Sequence, residues 1–110
     1  MRPTVTEASG SPEGGLLDRT LAALRRRSAE LRARGFIHIA VFGSVARRED
    51  GPDSDIDLLA DIAPGVDSMD ALKAERLLAA DLGRDVQIIS RRGLNSVRHA
   101  EIFRDSIPVF

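Results

Sequence analysis

Val41-Phe42-Gly43-Ser44-Val45-Ala46-Arg47-Arg48-Glu49-Asp50-Gly51-Pro52-Asp53-Ser54-Asp55-Ile56-Asp57-Leu58-Leu59-Ala60-Asp61 is the stretch on which the fold turns. It opens at the end of a short, apolar, β-branched run, Phe36 to Phe42, which reads as a buried strand. Gly43-Ser44 breaks that strand, and Ser44 is a good N-cap for a short helix over Val45 to Glu49. Asp50 to Ser54 is turn chemistry, and Asp55 to Ile62 reads as a second strand. About a dozen residues join the two strands, which suits an antiparallel pair better than a full crossover.

Outward from this unit, Leu16 to Arg34 is helical in pattern, with Leu17, Leu21, Leu24 and Leu31 on one face and Gly35 as its stop. Arg25, Arg26, Arg27, Arg32 and Arg34 crowd the other positions and read as the solvated face of that helix rather than a nucleic-acid patch. Pro64-Gly65 ends the second strand. Asp67 or Ser68 then caps a helix running to about Leu82, with Leu72, Leu77 and Leu78 turned inward and Gly83 as terminator. Val86-Gln87-Ile88-Ile89 is a third strand, reached by a helical crossover that predicts helices packed on one face of a small sheet. Residues 94–105 are weakly helical, and Pro108-Val109-Phe110 reads as a short extended tail. Residues 1–15, rich in Gly, Ser, Pro and Thr, read as a flexible tail before one domain over 16–110.

Composition excludes several classes. With 16 basic and 17 acidic side chains and a net charge of −1, the chain lacks the cationic excess of a duplex binder, and no direct nucleic-acid partner is expected. Cysteine is absent and histidine is limited to His38 and His99, so thiolate and multi-histidine metal sites are ruled out. There is no Trp or Tyr to build a stacking platform for single strands. No apolar run approaches the ~20 residues of a membrane span, and no apolar core follows Arg2 as in a signal peptide. A cytoplasmic protein with no membrane partner is the expectation.

Two features of the quoted stretch carry chemistry. Gly43 lets backbone approach a ligand closely, a helix N-terminus favours anions, and the Ser44 hydroxyl adds a donor. Asp55 and Asp57 are two apart on a strand, so both carboxylates face one way. Such a pair repels itself unless a cation sits between, and magnesium is the natural guest for oxygen ligands. Taken alone, a Gly-Ser is an ordinary turn and an Asp-x-Asp can be turn acids. Their arrival in one unit on neighbouring strands is what phosphoryl transfer needs: donors for a polyphosphate, and carboxylates for the metal that bridges it. Asp61 continues the same parity but lies further along, beyond Leu59.

Gly-Ser, ten residues, Asp-x-Asp resembles the signature of the polymerase beta nucleotidyltransferase superfamily, residues 45–54 supplying the ten. Gly-Ser-Val-Ala-Arg followed by Ser-Asp-Ile-Asp-Leu-Leu resembles the minimal nucleotidyltransferase (MNT) family in particular, over roughly residues 16–107. The resemblance implies an α/β (α+β) nucleotidyltransferase fold, a small mixed sheet with helices packed on it. It implies an antitoxin encoded beside a HEPN-domain toxin, an RNase, which it silences by moving AMP from ATP to a toxin tyrosine. Carried over residue by residue, Gly43 and Ser44 hold the β- and γ-phosphates, Arg47 neutralises phosphate charge, and Asp55 and Asp57 ligate Mg²⁺. Arg48 replaces a glycine common in the family.

One departure bears on catalysis. Gln87 stands where the family's third strand carries a further carboxylate. An amide is neither a general base nor a charged metal ligand. Asp85, on the same strand face and ~6.6 Å away along it, is the candidate substitute; otherwise it is a surface acid beside Arg84. Two other readings stay open: an antitoxin that neutralises by binding without catalysis, and a transferase acting on a small-molecule hydroxyl. No acceptor pocket for the latter is evident in the sequence.

Overall fold

The computed structural model describes residues 15–94 and 97–110. The expected tail over 1–15 lies, Gly15 apart, outside the described residues. The elements are α1 (Leu16–Arg26), α2 (Ser28–Ala33), β1 (Phe36–Phe42), α3 (Gly43–Ala46), β2 (Ile56–Ile62), α4 (Ser68–Leu82), β3 (Val86–Ser90), a single 3-10 turn at Arg91–Gly93, α5 (Ala100–Asp105) and β4 (Ile107–Pro108). The sheet order is β3-β2-β1-β4. β1 and β2 are antiparallel, as their short connection predicts, with Phe42 opposite Asp57 and Ala40 opposite Leu59. β3 lies parallel to β2 after the α4 crossover, with Asp57 opposite Gln87 and Leu59 opposite Ile89.

Strand parity sorts the two faces. Ile39 and Val41, Ile56, Leu58 and Ala60, and Val86 point to the main core, where they meet Leu24, Leu31, Ala74 and Leu78 of the helices. The other face carries Ala40, Phe42 and Leu59, and α5 covers them through Ile102 and Phe103. Helices therefore pack on both faces, not one: α5 is too short and weakly patterned to be placed by periodicity, yet it shields the apolar middle of the second face.

Other expectations are corrected too. The first helix is broken at Arg27, whose guanidinium reaches Glu30 and Asp81 of α4. Arg25, Arg26 and Arg32 do lie exposed, as a solvated face requires. On α4 the inward stripe is Ala74, Leu78 and Leu82, with Leu72 and Leu77 half-buried, because a four-residue step keeps one side of a helix. Asp67 caps α4 by accepting from the Met69 N–H at 3.0 Å, and Gly83 ends it in the left-handed region at φ 67°. The C-terminal residues are not a free tail. Ile107–Pro108 adds a fourth strand beside β1, and Val109 N–H donates to the Ile39 carbonyl at 2.8 Å.

Candidate functional site

The second sheet face turns acidic at the end where β1 stops and β2 and β3 begin. Phe42 is still extended, at φ −137°, and Gly43 swings the chain into α3 with φ 77°. The helix is one turn, Gly43–Ala46, and its N-cap position is Phe42, without a side-chain cap. Ser44 therefore lies inside the turn rather than capping it: the chain bends one residue earlier than a hydroxyl cap requires. Its carbonyl accepts from Glu49 N–H at 2.8 Å and holds the loop closed.

Gly43 is pressed against Asp57. A Cβ at position 43 would stand 2.7 Å from Asp57 Oδ2 and 3.5 Å from its Cγ. The backbone of the Gly-Ser turn and the second carboxylate of Asp-x-Asp thus form one contact, produced by the pairing of Phe42 with Asp57. Asp55 sits one residue before β2 and is exposed; Asp57 is half-buried. Burial, and after it the charge of Asp55, pushes the Asp57 carboxyl above the ordinary aspartate value of 3.8. No ion pair among the described residues involves either carboxylate.

This donor set fits magnesium. Mg²⁺ is usually held by one or two carboxylates, with water and substrate phosphate completing its shell. Two unpaired carboxylates, one of them pushed toward its neutral form, gain from a hard cation. Among the described residues no three His, Cys, Asp or Glu side chains gather into a cluster of their own.

The other expected residues are placed as follows. Gln87 is exposed and stands directly beside Asp57 in register. Asp85 is one pleat earlier, its carbonyl accepting from Ile56 N–H at 2.9 Å, which sets it level with Asp55 rather than Asp57. Arg47 is exposed and engaged, donating to Glu49 at 2.9 Å and Asp105 of α5 at 3.4 Å. Asp61 is apart from the site, at the far end of β2, bound by Arg91 Nε at 2.9 Å. Arg48 has φ 58°, the left-handed region that favours glycine, and its guanidinium meets both oxygens of Asp18 on α1 at 3.0 and 3.2 Å.

Three features escape the sequence reading. An open cleft of about 540 Å³ lies beside Asp55, lined by Asp53, Ser54, Asp55, Gly83, Arg84 and Asp85. Arg84 donates to the carbonyls of Gly51 and Ser54 at 3.2 and 2.9 Å and pins the turn that delivers Asp55. Glu75 on α4 accepts from Ile88 N–H at 2.7 Å, covering an edge group of β3 next to Gln87. A basic residue after a helix-stopping glycine and an acid among helix leucines carry no local signal for either role.

The family model for polymerase beta nucleotidyltransferases matches residues 32–110. A solved structure ascribed to a minimal nucleotidyltransferase is 36% identical, with a TM-score of 0.70 over 89% of this chain and 99% of that one. A protein of Methanocaldococcus jannaschii to which protein adenylyltransferase activity is ascribed is 27% identical over 75 residues, 68% of this chain and 81% of its own length. A complex of tri-AMPylated Shewanella oneidensis HEPN toxin with MNT antitoxin shares the fold at 19% identity and a TM-score of 0.57, covering 82% of this chain and 71% of that one. This chain therefore belongs to the polymerase beta nucleotidyltransferases, among their minimal members.

Proposed function

We propose that this chain is the antitoxin of a two-protein toxin–antitoxin pair and transfers AMP from ATP to a hydroxyl of a HEPN-type toxin encoded alongside it, the hydroxyl oxygen bonding the α-phosphorus as the bond to the β-phosphate breaks and pyrophosphate and the hydroxyl proton leave. The observation that carries the reading is the close approach of the Gly43 backbone to the Asp57 carboxylate, which sets a phosphate-suited turn directly against the acidic pair. A relative in a complex with an AMPylated HEPN toxin, and another toxin–antitoxin structure that holds AMP-PNP, support it. The cytoplasm is the expected compartment; among the described residues no helix is long and apolar enough to cross a membrane.

Asp55 and Asp57 would hold Mg²⁺, which would supply positive charge to the polyphosphate and to the acceptor hydroxyl. Gly43 leaves room for a phosphate oxygen at the backbone. Ser44 donates a hydrogen bond worth about 1.5–3 kcal/mol to a charged acceptor. Arg47 serves phosphate by exchanging Glu49 and Asp105 for it. The cleft at Asp55 and Asp85 receives the acceptor.

One observation favours a second reading, an antitoxin that binds and does not catalyse: Gln87 occupies the register position beside Asp57, and Asp85 is a pleat away. Intact-mass measurement of the toxin after incubation with the chain, ATP and magnesium separates the two. Transfer adds one AMP per acceptor and fails in the Asp55→Asn, Asp57→Asn variant. Neutralisation that needs no ATP, leaves the toxin's mass unchanged and survives the double substitution establishes the binder. Transfer to a small alcohol in the toxin's absence establishes a small-molecule transferase instead.

A further inference from the structure

The outward side of α4 carries Lys73, Arg76, Leu77 and Ala80. Spacings of three, four and seven place them on one stripe, turned away from the core stripe of Ala74, Leu78 and Leu82. With Arg34, which follows α2, they line an open groove of about 370 Å³ whose walls are almost wholly hydrocarbon. Leu77, Ala80 and the aliphatic stems of three cationic side chains make that surface. No carboxylate lines it, although the chain as a whole carries a net charge of −1.

The cations are poorly matched from within. Lys73 and Arg76 are exposed and take part in no ion pair among the described residues. Arg34 Nη2 reaches Glu30 at 3.3 Å, but its Nε–H is buried without an acceptor. A buried donor left unmet is costly, and the one carboxylate beside Arg34, Glu30, does not meet it.

We infer that this groove seats an amphipathic helix of a partner protein, an aliphatic side chain resting on Leu77 and Ala80 and carboxylates meeting Lys73, Arg76 and Arg34. Charge selects an acidic occupant. The hydrocarbon walls select one with an apolar side chain, which a sugar–phosphate backbone does not offer. The stripe is ~10 Å long at 1.5 Å per residue, two turns of a helix, and suits a second helix packed alongside at ~8–10 Å. α4 covers the sheet face opposite the acidic pair, so a helix seated here leaves Asp55 and Asp57 open. The inference does not rest on the proposed transfer reaction.

The test uses the full chain and a fluorescent helical peptide with Leu at i and i+7 and Glu at i+3 and i+4, read by anisotropy. The chain should bind it at least about tenfold tighter than versions with Ser for Leu or Lys for Glu, a difference of ~1.4 kcal/mol. Lys73→Glu with Arg76→Glu should lose that affinity and favour the Lys peptide, with circular dichroism and magnesium-ATP binding unchanged. Arg76→Gln, a milder change, should weaken binding in the same direction. Equal binding by the charge-reversed chain, or indifference to Ser for Leu, overturns the inference. So does displacement of the peptide by an oligonucleotide at equal concentration, which would mark a general anion surface. Self-association of the chain by sedimentation, abolished by the double substitution, would assign the groove to a second copy instead.

Discussion

Gly43→Ala isolates the contact on which the site is built. Two costs are expected, and they are separable. The first is backbone: Gly43 has φ 77°, and a side chain in the left-handed region costs ~1–2 kcal/mol. The second is local: the new Cβ would lie 2.7 Å from Asp57 Oδ2, against about 3.4 Å for ordinary contact, so the carboxylate must retreat by about 0.7 Å (3.4 − 2.7). Gly65→Ala carries the first cost without the second, since Gly65 has φ 86° and nothing within 4 Å of an added Cβ. Both variants should therefore melt lower by roughly 4–8 °C per kcal/mol. With ATP and magnesium 100-fold above Kd, the wild type and Gly65→Ala should each gain about 2.7 kcal/mol of stability. Gly43→Ala should gain much less. Its AMP transfer should drop by up to ~10²-fold, since misplacing a catalytic group by about 1 Å has that effect. Thermal melting with and without magnesium-ATP, and intact-mass kinetics of transfer, read the two quantities. Equal ligand stabilisation and equal transfer in the two variants would refute the coupling of the turn to Asp57.

Asp57→Asn should raise the melting temperature of the ligand-free chain at pH 7 while removing its stabilisation by magnesium-ATP. Its folded carboxyl is raised above 3.8, so its charge costs stability as pH climbs through that raised value, and the advantage of Asn should vanish when melting is repeated below 3.8. Gln87→Asp should speed AMP transfer by ~10²-fold, the usual worth of a positioned base, with Asp85→Asn changing it little; single-turnover mass kinetics check both. Glu75→Ala should leave the Ile88 N–H without its acceptor, lowering stability by ~1–3 kcal/mol in denaturant titration and speeding amide exchange at Ile88.

What the sequence makes legible is what is local. Phe36–Phe42 is apolar but for His38 and rich in β-branched residues, and its bounds are recovered to the residue. The antiparallel start of the sheet follows from connection length, while Asp55, read as the first residue of its strand, sits one residue before it, near enough for its charge to act on Asp57. What is not legible depends on distant partners. β4 is two residues with a proline at its end, and it is a strand only because Ala40 and Val41 lie beside it. Leu72 and Leu77 are leucines in a helix, but which side faces the sheet is decided by Ala74, a residue that hydropathy ranks below them. Ser44 suits a cap, yet the chain already turns at Gly43 because pairing of Phe42 with Asp57 fixes where β1 ends.

The two departures from the pattern that the resemblance implies, at Arg48 and Gln87, are unequal for the same reason. Arg48 stands where a glycine is common, and the backbone there is left-handed, so a cost of ~1–2 kcal/mol is real. An exposed ion pair offsets only part of it: both oxygens of Asp18, 30 residues earlier, receive the guanidinium. Gln87 has no such answer. Its register partner is Asp57, the carboxylate already pressed by Gly43 and by the charge of Asp55, and the nearest acid on its own strand is level with Asp55 instead. An amide there eases repulsion in the empty site, since a third carboxylate would push Asp57 further toward its neutral form. It also withholds the negative charge that would help hold a metal at the acceptor. Under the proposed function, slow AMP transfer with magnesium-ATP held by two aspartates is the expected outcome, and Gln87→Asp should trade some stability of the ligand-free chain for rate. If that variant gains rate without losing stability, the repulsion assigned to the acidic pair is overestimated.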